Sequence, residues 1–143
     1  HPSKGYRAED LNETSMVLLV TYREFSMLLT GDVQGAGEEH LTQELKAWKK
    51  PGATEHAETE LTILKVAHHG SKNSTTEEFL KAANPKLAII SCGEGNRYGH
   101  PHEETLERLE KADVSWFCTK DYGAITVTVD GESRVKVRGY ITD

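Results

Sequence analysis

The sequence predicts a layered α/β fold, and three observations carry that expectation. Two apolar, β-rich runs read as a hairpin, amphipathic helices then alternate with short apolar strands, and the chain closes in a β-rich tail. In such a sheet the loops after the strands leave along one edge, so residues far apart in sequence can meet there.

The hairpin is expected over Met16–Tyr22 and Phe25–Thr30, turning at Arg23-Glu24 and ending at Gly31-Asp32. From Ala36 to Lys49, Leu41, Leu45 and Trp48 make one apolar helical stripe, which Pro51-Gly52 stops. The polar stretch 52–60 reads as a surface loop, and Leu61–Ala67 as a strand running into His68-His69-Gly70. Ser74-Thr75-Thr76-Glu77 has the form of a capping box, with Phe79, Leu80 and Ala83 on the inner face of a helix that Asn84-Pro85 ends. Lys86–Cys92 is the next strand, residues 93–101 a Gly-rich polar loop, and His102–Ala112 a helix with Leu106 and Leu109 inward. Val114–Cys118, Ala124–Val129 and Arg134–Val137 complete the expected strands, with turns at Asp121-Tyr122-Gly123 and Asp130-Gly131.

A length of 143 residues suits one domain with a real core. Its 36% apolar and 28% charged residues exclude both a disordered tail and a membrane-embedded chain. The longest wholly apolar run, Met16–Val20, falls far short of the roughly 20 residues that cross a bilayer. With 23 acidic against 17 basic side chains the overall field repels polyanions, so phosphate chemistry needs a local source of positive charge. Cys92 and Cys118 show no metal-knuckle spacing and read as buried thiols, with a disulfide between them left open. A chain that opens on His1 leads us to expect an upstream portion.

Three strand ends carry residues that bind metals or move protons: Asp32, the His68-His69 pair, and the loop Asn96-Arg97-Tyr98-Gly99-His100-Pro101-His102. Each has a plainer reading. Gly31-Asp32 alone is ordinary turn chemistry, and a strand-terminal histidine is often structural. Adjacent histidines on a strand end point in different directions, so one of the two is expected to reach a given site. Pro101 with Glu103 and Glu104 resembles a helix N-terminus, which makes His102 a first-turn residue and leaves His100 the better ligand candidate. Lys72 and Arg97 lie beside these clusters and can supply local positive charge, whereas Lys120 reads as an isolated surface lysine. His1, His40 and His56 lack such context, and Asn12-Glu13-Thr14-Ser15 reads as a turn before the first strand.

Taken together the motifs resemble the metallo-β-lactamase superfamily, in particular the C-terminal hydrolase domain of ComEC-type competence proteins, which act in DNA uptake. The residues that carry the resemblance are Asn12–Leu18, Leu28–Asp32, Leu64–Ser71, Asn96–His102 and Asp121–Val127. The resemblance implies an αββα sandwich of two halves with a binuclear site of two divalent ions, zinc or manganese. It makes Asp32 the bridging carboxylate and His100 a ligand of the second metal, with His68 and His69 a catalytic pair near the leaving group. Asn12, or less readily His1, stands where many members place a further ligand. The first-half motif HxHxDH is missing, so residues 1–143 resemble the C-terminal half of the domain.

The implied activity is metal-dependent hydrolysis of DNA or another phosphodiester at the extracytoplasmic face of a bacterial membrane. The implied partners are the missing N-terminal half and a membrane channel domain. A non-catalytic scaffold with an incomplete metal site, and an activity like that of the phosphorylcholine esterases, are the alternatives. An exposed half-domain face can also pair two copies. Hydrolysis of β-lactams has no support in these motifs.

Overall fold

The computed structural model describes residues 2, 5, 7, 9–49 and 60–141. The loop expected over residues 52–60 lies almost wholly outside that range, as do His1 and His56. Strands β1 (Leu18–Tyr22) and β2 (Phe25–Leu29) form the expected antiparallel hairpin, with Tyr22 opposite Phe25. Strands β3 (Leu61–Lys65), β4 (Pro85–Ile90) and β5 (Ser115–Cys118) extend it in parallel, in the order β1-β2-β3-β4-β5. The crossovers are α1 (Gly35–Ala47), α2 (Glu77–Ala83) and α3 (Glu103–Lys111). Parallel crossovers are right-handed and the strands advance in one direction, so all three helices fall on the same face.

That face holds the larger core. Leu41 and Leu45 of α1, Phe79, Leu80 and Ala83 of α2, and Leu109 of α3 pack against Leu28, Leu61, Leu64, Ala88 and Ile90. A fully buried side chain such as Leu61 or Phe79 stabilises the fold by about 1.5–3 kcal/mol. The opposite face is covered by the antiparallel hairpin β6 (Ile125–Val129) and β7 (Val135–Gly139). There Ile125, Val127, Val129 and Val137 meet Phe25, Ile63 and Ile89. On β1 the side chains of that face, Leu18, Val20 and Tyr22, are exposed.

Two details depart from the sequence reading. The Asp121-Tyr122-Gly123 turn is the end of a one-turn helix, α4 (Thr119–Tyr122), which follows β5 directly. The cap of α2 is Thr76, whose hydroxyl accepts from the Phe79 N–H, while the Ser74 hydroxyl donates to the Ala67 and Ser71 carbonyls. Ser74 is fully buried, and its hydroxyl instead ties the chain before α2 to the turn that follows β3.

Candidate functional site

All the loops that matter leave from the carboxyl edge of β2–β5. The Thr30 hydroxyl donates to the Lys65 carbonyl at 2.6 Å, and the His68 N–H donates to the Gly31 carbonyl at 3.0 Å. The Asp32 N–H donates to the Ser15 hydroxyl at 3.2 Å, so the Asp32 loop is fixed from both sides. Its carboxylate is left free to face the turn that follows β3.

That turn overrides the simple expectation for adjacent histidines. His68 and His69 have φ values of 46° and 58°, so the strand's alternation stops and both rings face the same cluster. Left-handed backbone costs a non-glycine residue about 1–2 kcal/mol, a strain that concentrates at functional sites. The His100 ring centroid lies 5.7 Å from that of His68 and 6.2 Å from that of His69. His69 Nε2 is 3.6 Å from Asp32 Oδ1.

The second nitrogen of each ring is already committed. His69 Nδ1 lies 2.6 Å from the Ser91 carbonyl, which can only accept, so Nδ1 carries the proton and Nε2 faces Asp32. His68 Nδ1 lies 2.9 Å from Gln34 Oε1, which likewise turns its Nε2 toward the cluster. A partner of this kind on the far nitrogen orients an imidazole for metal binding or proton transfer.

His100 is held by its own loop. The Asn96 amide donates to the Gly93 and His100 carbonyls, and its oxygen accepts from the His100 N–H at 2.9 Å. His102 stands at the N-cap of α3, yet its side chain makes no bond to that helix. Its Nδ1 instead accepts the Lys72 N–H at 3.2 Å, and its ring centroid is 4.8 Å from that of His100. The helix-start reading of His102 therefore holds for its backbone position, while its ring faces the cluster.

Burial and the charges of His102, His68 and His69 hold the His100 imidazole below its ordinary pKa, against the pull of Asp32. Its neutral form, the one that can bind a metal, is thereby favoured. Burial lowers the Lys65 ammonium as well, with the Asp32 charge opposing, and Lys65 Nζ approaches the Gly31 carbonyl at 3.5 Å. Gln34, Lys65 and Asn96 support the cluster and were not singled out from the sequence. Only Asn96 had a signal, its place in the loop before His100; Gln34 reaches His68 through tertiary packing alone.

The donors Asp32, His69 and His100 are of the kind that holds zinc or manganese. Among the described residues, however, no three of His, Cys, Asp and Glu come together closely enough to hold a cation. The donor chemistry thus fits part of a metal site and does not complete one. Asn12 lies in a one-turn helix, Leu11–Thr14, before β1, and its N–H donates to Asp10. The cysteines are free thiols with Sγ atoms 3.3 Å apart at the ends of β4 and β5.

Residues 4–94 match the family model of the metallo-beta-lactamase superfamily, which is well over half of the chain. The chain belongs to the metallo-β-lactamase superfamily. It is 38% identical over 114 residues to ComE operon protein 3 of Bacillus subtilis, an alignment covering 80% of the chain and 13% of that protein. It is 36% identical to recombination protein 2 of Haemophilus influenzae, over 70% of the chain and 11% of that protein. It is also 32% identical to competence protein ComA of Neisseria gonorrhoeae, over 87% of the chain and 16% of that protein. This is a metallo-β-lactamase-type domain related to competence proteins, and it spans about a tenth to a sixth of the length of these relatives. Members of the superfamily usually bind divalent metals. No described helix is long and apolar enough to cross a membrane.

Proposed function

We propose that this chain is the C-terminal half of a metal-dependent phosphodiester hydrolase domain in a competence-type protein, with DNA or another phosphodiester as substrate. The single observation that carries the reading is the meeting of Asp32, His68, His69 and His100 on one sheet edge although they come from three separate strand ends. Asp32 and His100 are the metal ligands of this half. Divalent ions held there would polarise a phosphoryl oxygen and generate hydroxide near neutral pH.

The chain's own residues do the rest. His69, with its Nδ1 proton held by Ser91, has Nε2 available to protonate the departing oxygen or to hold a phosphoryl oxygen. His68, oriented by Gln34, lines the cluster 5.7 Å from the His100 ring centroid. Lys72 and Arg97 lie in the adjoining loops and offset the repulsion that a net charge of -6 exerts on an anionic substrate.

The incomplete donor set and the exposed outer side chains of β1 support an upstream half that supplies the remaining ligands and extends the sandwich. On this reading the whole protein carries a membrane channel domain and works at the extracytoplasmic face. The same exposed side chains would support pairing of two copies if that half is absent. The incomplete donor set also favours a second reading, a binding or scaffold module that keeps the ligand residues without a working site.

The test is hydrolysis by the chain joined to the segment that precedes it in the full protein. Substrates are single- and double-stranded DNA, bis(p-nitrophenyl) phosphate and a phosphorylcholine ester, with chelator and with zinc or manganese restored. Metal-dependent cleavage of a phosphodiester supports the hydrolase, and the preferred substrate separates a nuclease from an esterase. No cleavage under any condition supports the scaffold.

A further inference from the structure

Tyr98, beside the cluster, is used by none of these roles. The rings of His69 and His100 lie 19° from parallel, and those of His100 and Tyr98 22° from parallel, with centroids 6.2 Å and 5.8 Å apart. The Arg97 guanidinium sits 5.0 Å from the Tyr98 ring centroid and is tied to the hydroxyl edge of that ring, where its Nη2 donates to the Tyr98 hydroxyl at 2.8 Å. His69, His100 and Tyr98 therefore form a run of near-parallel rings that begins next to Asp32 and ends at an exposed tyrosine. Tyr98 is 61% exposed and is set apart from the other exposed tyrosines by its place beside the histidine cluster. The loop beneath it does not drift, because the Asn96 amide clasps Gly93 and His100.

We propose that Tyr98 and Arg97 form a stacking platform for an unpaired nucleobase, which holds a single-stranded nucleic acid so that its backbone runs over the histidine cluster. The platform deepens the phosphodiesterase reading and rests on it for the identity of the neighbouring site. An exposed tyrosine offers a flat face to any base, and the arginine tied to its hydroxyl edge adds positive charge beside that face. Bases in a duplex have both faces occupied, so only a single strand, a frayed end or a flipped base can use such a surface. The location also fits the chain's electrostatics. A net charge of -6 gives no general attraction for nucleic acid, so capture has to come from a local combination of stacking and cation at the site itself.

The test is a binding measurement on the 143-residue chain that needs no catalysis. The probe is a six-nucleotide single strand carrying a fluorescent dye, with 2-aminopurine as one base, whose emission is quenched on stacking. The wild type is expected to bind and quench it. Tyr98→Ala should weaken binding about tenfold or more and abolish the quench, while Tyr98→Phe keeps the quench and stays within about threefold. An abasic strand of equal length should bind the wild type as weakly as the normal strand binds Tyr98→Ala, and a blunt duplex should not respond to the substitution.

Equal binding of the normal and abasic strands, no loss in Tyr98→Ala, or no binding by the wild type would each overturn the platform. Tyr22→Ala removes another exposed tyrosine with an arginine over its ring, at the β1–β2 turn on the other edge of the sheet, and should bind the strand like the wild type. Because the binding measurement needs no turnover, failure of hydrolysis in the extended protein would leave this result standing, and failure here would leave hydrolysis of bis(p-nitrophenyl) phosphate untouched.

Discussion

Gly70 and Pro101 are pressed together so tightly that a methyl group does not fit between them: a Cβ on residue 70 would lie 2.7 Å from the Pro101 Cβ. The Gly70 carbonyl also accepts the His102 N–H at 2.9 Å, so the turn bearing His68 and His69 is locked to the loop bearing His100. Gly70 has φ +84°, a second reason for glycine at this position.

Gly70→Ala should therefore lose stability by about 1–2 kcal/mol from backbone strain alone, with the displacement of Pro101 adding to it. Urea unfolding measures the first effect. The second should appear as a shift of the His100 ring resonances that exceeds the shift at His40, which lies away on α1.

Glu38 on α1 is a buried carboxylate that accepts the backbone N–H groups of both Thr75 and Thr76 ahead of α2. Thr75 is buried while Thr76 is exposed, so Glu38→Ala leaves one buried donor without a partner and should cost about 1–3 kcal/mol from that donor. Burial raises the Glu38 pKa from 4.5, while the Thr76 and Thr75 bonds and the Arg108 charge oppose it. With the folded value above the unfolded one, the folded state binds the extra proton, so this group's contribution is full below about 4.5 and is lost as pH rises through the folded value. Unfolding free energies of wild type minus Glu38→Gln should accordingly fall as pH rises from 4 toward neutrality, the range set by the ordinary carboxylate value. A rising difference would contradict the assignment.

Most of the fold was legible in the apolar pattern, because β2, β3 and β4, covered on both faces, are short continuous apolar runs, and α1, α2 and α3 carry apolar stripes at the helical period. What was not legible depends on tertiary pairing. Glu38 looks like any helix-surface acid in sequence, and only the packing of α1 against α2 brings it under the Thr75 and Thr76 amides. His68 and His69 looked like alternate residues of a strand, and their convergence comes from left-handed backbone that no local pattern announces. For the site, the residue types and their strand-end positions were readable. The residues that orient them, Gln34 for His68 and the Ser91 carbonyl for His69, were not, since a bond across 34 or 22 positions leaves no trace in spacing.

Cys92 should be unusually slow to alkylate. Burial and the hydrogen bond with Cys118 push its thiol from 9.0 up to about 12, which lowers the thiolate fraction near neutral pH about a thousandfold. Iodoacetamide labelling followed by mass spectrometry should find Cys92 unmodified in the native chain at neutral pH and modified after unfolding. Rapid native labelling would show that the two thiols do not sit side by side.

Metal binding by the 143-residue chain alone should be weak and below one ion per chain, because the described residues offer no group of three ligands. Elemental analysis of protein purified without chelator measures this directly. Two tightly held ions per chain would contradict the half-site account.

The most direct measurement compares Asp32→Ala with His102→Ala in the chain joined to its upstream segment, hydrolysing bis(p-nitrophenyl) phosphate with manganese or zinc. The Asp32 carboxylate lies beside His69 at the heart of the cluster, whereas His102 meets it only edge-on through His100 and is tied to the Lys72 backbone. Asp32→Ala is expected to lose at least about 3 kcal/mol of transition-state stabilisation, roughly a hundredfold or more in rate, and His102→Ala far less. Equal losses in the two variants would make His102 a direct participant, and an Asp32→Ala protein that still hydrolyses at the wild-type rate would contradict the central claim.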